Sequence, residues 1–270
     1  IRDFSYNEIK ENIEQELRFQ QKTLKPNLKI AIIDENPPQQ KLFVEFLVYQ
    51  EIFKSFGWQV KICDYREDLS EFDFIYNRLN DFYLSWPTSQ ILKQFFLDRT
   101  LCFSPNPFEY FLLADKERLI DWSQPGFLES MELGSSQILS LRSGLSRAER
   151  LKPESADKLW SERKTLFFKP MRAFGSKQSY KGASISRRVY DEMLAQDFIA
   201  QEYIAASERS FDTPQGLQNF KFDLRFYAYQ GRTQLVVARL FQGQVTNLRT
   251  PYGGFACVEF LDSNEPDPRV

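Results

Sequence analysis

The stretch Leu166-Phe167-Phe168-Lys169-Pro170 is followed by Phe174-Gly175-Ser176-Lys177 and then by Phe198-Ile199-Ala200-Gln201-Glu202-Tyr203-Ile204. An apolar strand that ends in a lysine presents an ammonium to an anion. The proline after it stops the hydrogen-bond ladder and turns the strand end towards a cleft. A short Gly/Ser loop next in line folds its backbone N–H groups around the same anion. A second apolar strand that runs into a Gln-Glu-aromatic segment offers a hinge on which a base ring rests. In this order the three pieces describe a nucleotide triphosphate site. Lys169 contacts phosphate, Gly175 and Ser176 lie in a covering loop spanning 171–182, and Gln201, Glu202, Tyr203 and Ile204 form the hinge.

Two further segments extend the pattern. Ala114-Asp115-Lys116-Glu117-Arg118-Leu119 places a lysine on a helix ahead of the strand, and Asp223-Leu224-Arg225 is followed by Ala238-Arg239, Asn247 and Gly253-Gly254. Across about residues 28–257, the order and spacing of these five pieces resemble the ATP-grasp superfamily of ATP-dependent ligases, in particular bacterial glutathione synthetases and ribosomal-protein glutamate ligases. The resemblance implies an ATP-grasp fold, α/β with an α+β ATP-binding part, preceded by a small parallel α/β domain. It implies ATP and Mg²⁺ as cofactors, and small-molecule carboxylate and amine (or thiol) substrates joined through an acyl phosphate. Lys116 and Lys169 would hold phosphates, while Glu202 and Glu208 are the carboxylates for the adenine amine or the ribose. Arg225 and Arg239 would stabilise the transferring charge.

Composition fits chemistry of this kind and excludes others. With no histidine among 270 residues, a histidine base, a Ser-His-Asp triad and a histidine-bound metal are ruled out. Phosphoryl transfer needs positioning and electrostatics, which Lys, Arg and carboxylates supply. A net charge of −2 gives no general attraction to nucleic acid or anionic membrane, so any phosphate site is a local cluster. Three scattered cysteines lack metal spacing and a disulfide framework, which points to a reducing, cytoplasmic setting. No apolar run has the length of a membrane span, and no signal peptide is visible. Many ATP-grasp ligases are oligomers, so a homo-oligomer stays open.

Four domains are expected: a helix in 1–23, an α/β domain in 24–106, a central ATP-binding subdomain in 107–200 and a C-terminal subdomain in 201–270. Ser5 and Glu8 have capping-box spacing at the start of an amphipathic helix over 5–22, which either packs on the first domain or forms a partner arm. Strands at 28–34, 58–64, 72–76 and 101–104 alternate with helices at 40–55 and 88–98, the pattern of a parallel sheet. Asn77-Arg78 follows the third strand, at the carboxyl edge where open α/β sheets bind ligands. The planar fork of Arg78 matches a substrate carboxylate. A helix is expected over 107–121, carrying Lys116.

Towards the C-terminus, Lys221, Asp223 and Arg225 alternate with Phe222, Leu224 and Phe226. The polar set faces the cleft if the apolar set is buried. Arg239 is expected at the end of the neighbouring strand 235–238, and Gly253-Gly254 allow close backbone approach to a substrate. The sequence departs from the family in one respect: no Glu-x-Asn follows residue 223, where the family holds magnesium. Asp223 with Asn247 is the substitute metal pair. Three readings stay open: an altered metal site, a chain that continues beyond residue 270, and a nucleotide-binding or regulatory domain without catalysis.

Overall fold

The computed structural model describes residues 5–20, 22–172 and 178–260. The described residues divide into two compact units, one ending at Ala114 and the other beginning at Asp115.

The first unit begins with α1 (Tyr6–Phe19), where Ser5 Oγ accepts from Asn7 N at 3.3 Å. β1 (Lys29–Asp34), α2 (Phe43–Ser55), β2 (Gln59–Asp64), β3 (Phe74–Asn77), α3 (Gln90–Leu97) and β4 (Cys102–Ser104) follow. The four strands form one parallel sheet in the order β2-β1-β3-β4. Successive side chains of β1 point to opposite faces. Ile30 and Ile32 join Phe46, Phe53, Ile13 and Leu17 under α2 and α1, whereas Ala31 and Ile33 join Leu92 and Phe103 on the α3 side. A strand buried on both faces must read as a continuous apolar run, and β1 does. The packing of Ile13 and Leu17 in this core supports the structural reading of the N-terminal helix over the partner-arm reading.

The helix expected over 107–121 is broken. α4 (Pro107–Glu109) passes into a wider π turn at Tyr110–Ala114, and α5 (Glu117–Ser123) restarts after Lys116. The buried Asp115 causes the restart: its Oδ1 accepts from Glu117 N at 3.0 Å, as a capping side chain does.

The second unit continues with α6 (Ser135–Gly144), β5 (Ala148–Arg150), α7 (Ala156–Glu162), β6 (Leu166–Pro170), β7 (Tyr180–Lys181), α8 (Arg187–Leu194) and β8 (Phe198–Glu202). These strands form an antiparallel sheet ordered β5-β8-β6-β7. Phe168 and Phe198 from its back pack with Leu159 of α7 and Tyr190 and Met193 of α8. β6 and β7 are the arms of a hairpin. A Cβ on Gly182, at its far end, would lie 2.0 Å from Arg163 O. Gly182 therefore serves close packing.

A second antiparallel sheet, ordered β12-β11-β10-β9, comprises β9 (Ser207–Thr213), β10 (Gly216–Tyr229), β11 (Arg232–Phe241) and β12 (Gly254–Cys257). Arg239 lies within β11, two residues before its end, and not at the end of a strand 235–238. The apolar set on β10 is less buried than alternation implies: Leu224 is 47% and Phe226 57% exposed.

Candidate functional site

A cleft of about 490 Å³ lies within the second unit, between its two sheets. One wall comes from the face of the central sheet opposite Phe168. Phe167 pairs with Gln201 across β6 and β8 and with Lys181 across β6 and β7, so these side chains share that face. Lys169 stands two residues along. The other wall comes from Lys221, Phe222 and Asp223 of β10, and Gln244, Val245 and Thr246 close one end.

Lys169 is where sequence placed it, at the cleft end of β6. Its Nζ donates to Gln201 Oε1 at 2.6 Å, and burial followed by repulsion from Lys116 holds its pKa below the usual lysine range. Lys116 Nζ donates to Met171 O at 3.3 Å, and burial lowers its pKa as well, against the opposing pull of Asp115. Two half-buried ammonium groups close enough to repel each other are a costly arrangement that an anion relieves.

The hinge residues Gln201, Glu202, Tyr203 and Ile204 all line the cleft. Tyr203 lies nearly parallel to Phe167, with ring centroids 6.3 Å apart, and Lys181 Nζ sits 4.4 Å from the Tyr203 ring centroid. The N–H groups of Glu202 and Tyr203 donate to Arg147 O and Thr165 O. Gly175 and Ser176 lie outside the described residues.

Asp223 lines the cleft and meets Arg239 directly opposite it on β11. Arg239 Nε and Nη2 donate to the two Asp223 oxygens at 2.7 and 3.0 Å, and Thr246 Oγ1 donates to Oδ2 at 2.5 Å. Arg239 itself is outside the cleft lining, as are Arg225 and Glu208. Arg225 is exposed and reaches Tyr227 Oη at 3.4 Å, while Glu208 on β9 accepts from Asn219 Nδ2 at 2.7 Å. Asn247 organises its own loop. Its Oδ1 accepts from Arg249 N, Thr250 N and Thr250 Oγ1, and its Nδ2 donates to Gln242 O and Val245 O. Gly253 is explained by β11, because a Cβ there would lie 2.6 Å from Leu240 O. Gly254 beside it has φ +117°, a backbone conformation that favours glycine.

Arg78 belongs to the first unit. Its Nη2 donates to Glu45 Oε2 at 3.1 Å and its Nη1 to Tyr76 Oη at 3.3 Å, so its fork already has a carboxylate. At the same sheet edge, burial raises Asp34 to about 6.

The donor set does not fit magnesium as expected. The ion takes oxygen ligands, but the carbonyl oxygen of Asn247 is occupied by three donors and both oxygens of Asp223 are bound by Arg239. Among the described residues, no group of three or more acidic, histidine or cysteine side chains could hold a metal.

Thr246 and Lys221 are among the cleft residues that sequence reading left without an assigned contact. Thr246 carried no signal, being a threonine in a polar segment. Lys221 was marked by its alternation with Asp223, and its Nζ donates to Gly243 O at 2.8 Å, which ties β10 to the closing loop.

No family model and no curated protein matches the sequence. Solved structures do. D-cycloserine synthetase DcsG is 14% identical with a TM-score of 0.48, over 84% of this chain and 70% of that one. The ATP-grasp ligase PsnB complexed with minimal precursor is 10% identical with a TM-score of 0.42, over 82% and 78%. D-alanine–D-alanine ligase from Bacillus anthracis is 11% identical with a TM-score of 0.40, over 81% and 72%. An ATP-grasp ligase thus stands among the structures this chain is similar to. At this level of similarity, the functional reading rests on the residues of the cleft.

Proposed function

We propose that the cleft binds ATP and that the chain is an ATP-dependent carboxylate–amine (or thiol) ligase of the ATP-grasp type. The observation that carries this reading is the Lys169–Lys116 pair at the mouth of β6, beside a hinge whose four residues line one cleft. Lys169 and Lys116 neutralise phosphate oxygens, and the bound anion restores the protonated state that burial disfavours in both. The base lies against Tyr203 and Phe167, with its polar edge towards Ile204 and the carbonyls of the hinge. The terminal phosphoryl group passes to a substrate carboxylate, which gives an acyl phosphate and ADP. The amine then attacks the acyl carbon, orthophosphate leaves, and the amine proton goes to solvent. Arg239 lies outside the cleft lining and acts through Asp223, whose carboxylate it neutralises so that the wall facing the phosphates is not negative. No step is assigned to a metal ion held by Asp223 and Asn247.

A second reading is favoured by those same two residues. With Asp223 paired to Arg239 and Asn247 holding its loop, the chain fits a nucleotide-binding domain without catalysis. Calorimetric titration with a non-hydrolysable ATP analogue, with and without Mg²⁺, tests the common part. Binding that Lys169→Ala removes supports the cleft, and no binding by the unaltered chain overturns both readings. Release of ADP in the presence of a carboxylic acid and an amine then separates ligase from binding domain.

A further inference from the structure

A helix that covers a sheet normally turns a polar face to water, and α2 does not. Its inner side buries Phe46 and Phe53, which pack with Ile30 and Ile32 of β1. On its outer side Val44 is 71%, Leu47 41% and Val48 51% exposed. Spacings of three and four residues make these side chains neighbours on one stripe. Leu42, just ahead of the helix, is 52% exposed and extends the apolar surface. Large aliphatic groups gathered in this way mark an interaction surface, whereas single exposed ones do not.

The charges along the stripe indicate what covers it. Glu45 turns aside to Arg78, whose Nη2 donates to its Oε2 at 3.1 Å. Lys41 lies three residues before Val44, Glu51 lies three residues after Val48, and both are exposed. Lys41 makes no hydrogen bond or ion pair among the described residues. Glu51 Oε1 accepts from Lys54 Nζ at 2.8 Å, an exposed pair of the weak kind that is readily shared. The stripe therefore runs positive, apolar, negative. Turned end for end, such a stripe is its own complement. A two-fold axis at the level of Phe46 sets Val44 against Val48 of the other copy, and it brings Lys41 to Glu51 at both ends. A parallel pair would instead oppose like charges. The result has an apolar centre and a charged rim, the usual anatomy of an interface.

We propose that the outer face of α2 is an interface between two copies of this chain, packed antiparallel about a two-fold axis, with Val44, Leu47 and Val48 at its centre and a Lys41–Glu51 pair at each end. One helix face lies at the small end of the size range, below about 1,200 Å² in total, so the dimer is a concentration-dependent one. The inference stands on α2 alone and is independent of the nucleotide cleft and of the ligase reading.

Sedimentation velocity on the full chain, from about 1 μM to about 1 mM, tests it. The expected result is a monomer–dimer equilibrium within that range. Val44→Asp should weaken the dimer at least about tenfold, since each copy would then bury a carboxylate without a partner. Val48→Asp, on the other side of the axis, repeats the test should Val44→Asp disturb the helix. Lys41→Glu and Glu51→Lys should each weaken it about three- to tenfold, because every change acts twice in a two-fold interface. The double change Lys41→Glu with Glu51→Lys should restore it to within about twofold. Thermal midpoints at low concentration control for folding. A chain that stays monomeric throughout leaves the face to another protein or to solvent and overturns the proposal. A dimer that survives both aspartate variants lies on another surface and overturns it too. A dimer that the double charge change fails to restore overturns the two-fold arrangement, and the proposal with it.

Discussion

The two sheets of the second unit both place a cation beside the cleft, and they treat it in opposite ways. In the central sheet, Lys169 bonds a neutral amide and lies near a second ammonium, over a back face packed against α7 and α8. In the C-terminal sheet, Arg239 is clasped by a carboxylate, and the apolar set of β10 leaves Leu224 and Phe226 open. In the first, Lys169 hydrogen-bonds an amide and keeps its charge available to an anion, over a packed core. In the second, the guanidinium of Arg239 meets a carboxylate of its own sheet. The contrast teaches that a charge kept short of its partner is better evidence for a ligand than a charge of the expected type.

The largest effect should come from removing the unmet charge. Lys169→Ala should weaken nucleotide binding by about 2–3 kcal/mol, or about 30- to 150-fold, the range for a buried charged hydrogen bond. It should leave folding stability unchanged or slightly higher, because a half-buried ammonium is lost with no carboxylate orphaned. Titration calorimetry beside a denaturant melt reads both. Equal affinity in the variant would break the contrast at its stronger end.

Asp223→Ala should do the reverse. It orphans Arg239 and the Thr246 hydroxyl, so unfolding free energy should fall by about 2 kcal/mol, moderated by the partial exposure of the pair. The denaturant midpoint should shift while the slope stays the same. Adding Arg239→Ala to Asp223→Ala should cost less than the sum of the two single changes, since the pair acts as a unit. Strict additivity would show that the two side chains do not support each other.

A reference outside both sheets is Asp34, a buried carboxyl at the end of β1 whose pKa is raised from 3.8 to about 6. The folded chain then holds this proton more tightly than the unfolded chain. The stability it contributes is complete below about pH 4 and is lost as pH rises through about 6. Asp34→Asn should therefore match the unaltered chain near pH 4 and exceed it by about 1–2 kcal/mol at pH 7. The amide oxygen of Asn can still accept from Glu35 N. Chemical melts at the two pH values measure the difference, and a variant less stable at both would contradict the sign.

How far the sequence foretold these features depends on what determines each one. The parallel sheet was legible because burial on both faces imposes an uninterrupted run such as Ile30-Ala31-Ile32-Ile33, which little else explains. Lys169 and the hinge were legible because strand, proline and polar segment follow directly in the chain. The break at Ala114–Lys116 was not, since the periodicity of 107–121 continues through it and only the folded position of Asp115 shows which N–H it caps. The partnership of Asp223 with Arg239 was hidden for a similar reason. Sequence gave the acid and the base, whereas the register of β10 on β11 makes them neighbours. Asn247 shows the limit most directly: an asparagine that folds a loop and one that binds a metal are the same letter.

The smallest expected effect tests the weaker end of the contrast. Phe226 lies on the same face of its sheet as Phe222 and Leu224, and it is directly opposite Val236 on β11. Val236 is only 5% exposed, while Phe226 is 57% exposed. If that face of Phe226 meets water in the folded chain, Phe226→Ser removes little buried apolar area. Its unfolding free energy should then change by less than about 0.5 kcal/mol, as for surface substitutions elsewhere. A serine also leaves the β10 ladder intact, so backbone pairing with β11 does not confound the result. A loss of about 3 kcal/mol or more would have another meaning, because that is the scale for a phenylalanine removed from a packed core. The apolar alternation on β10 would then mark a second core face, and the difference between the two sheets would lie in how each cation is paired and not in how each sheet is supported.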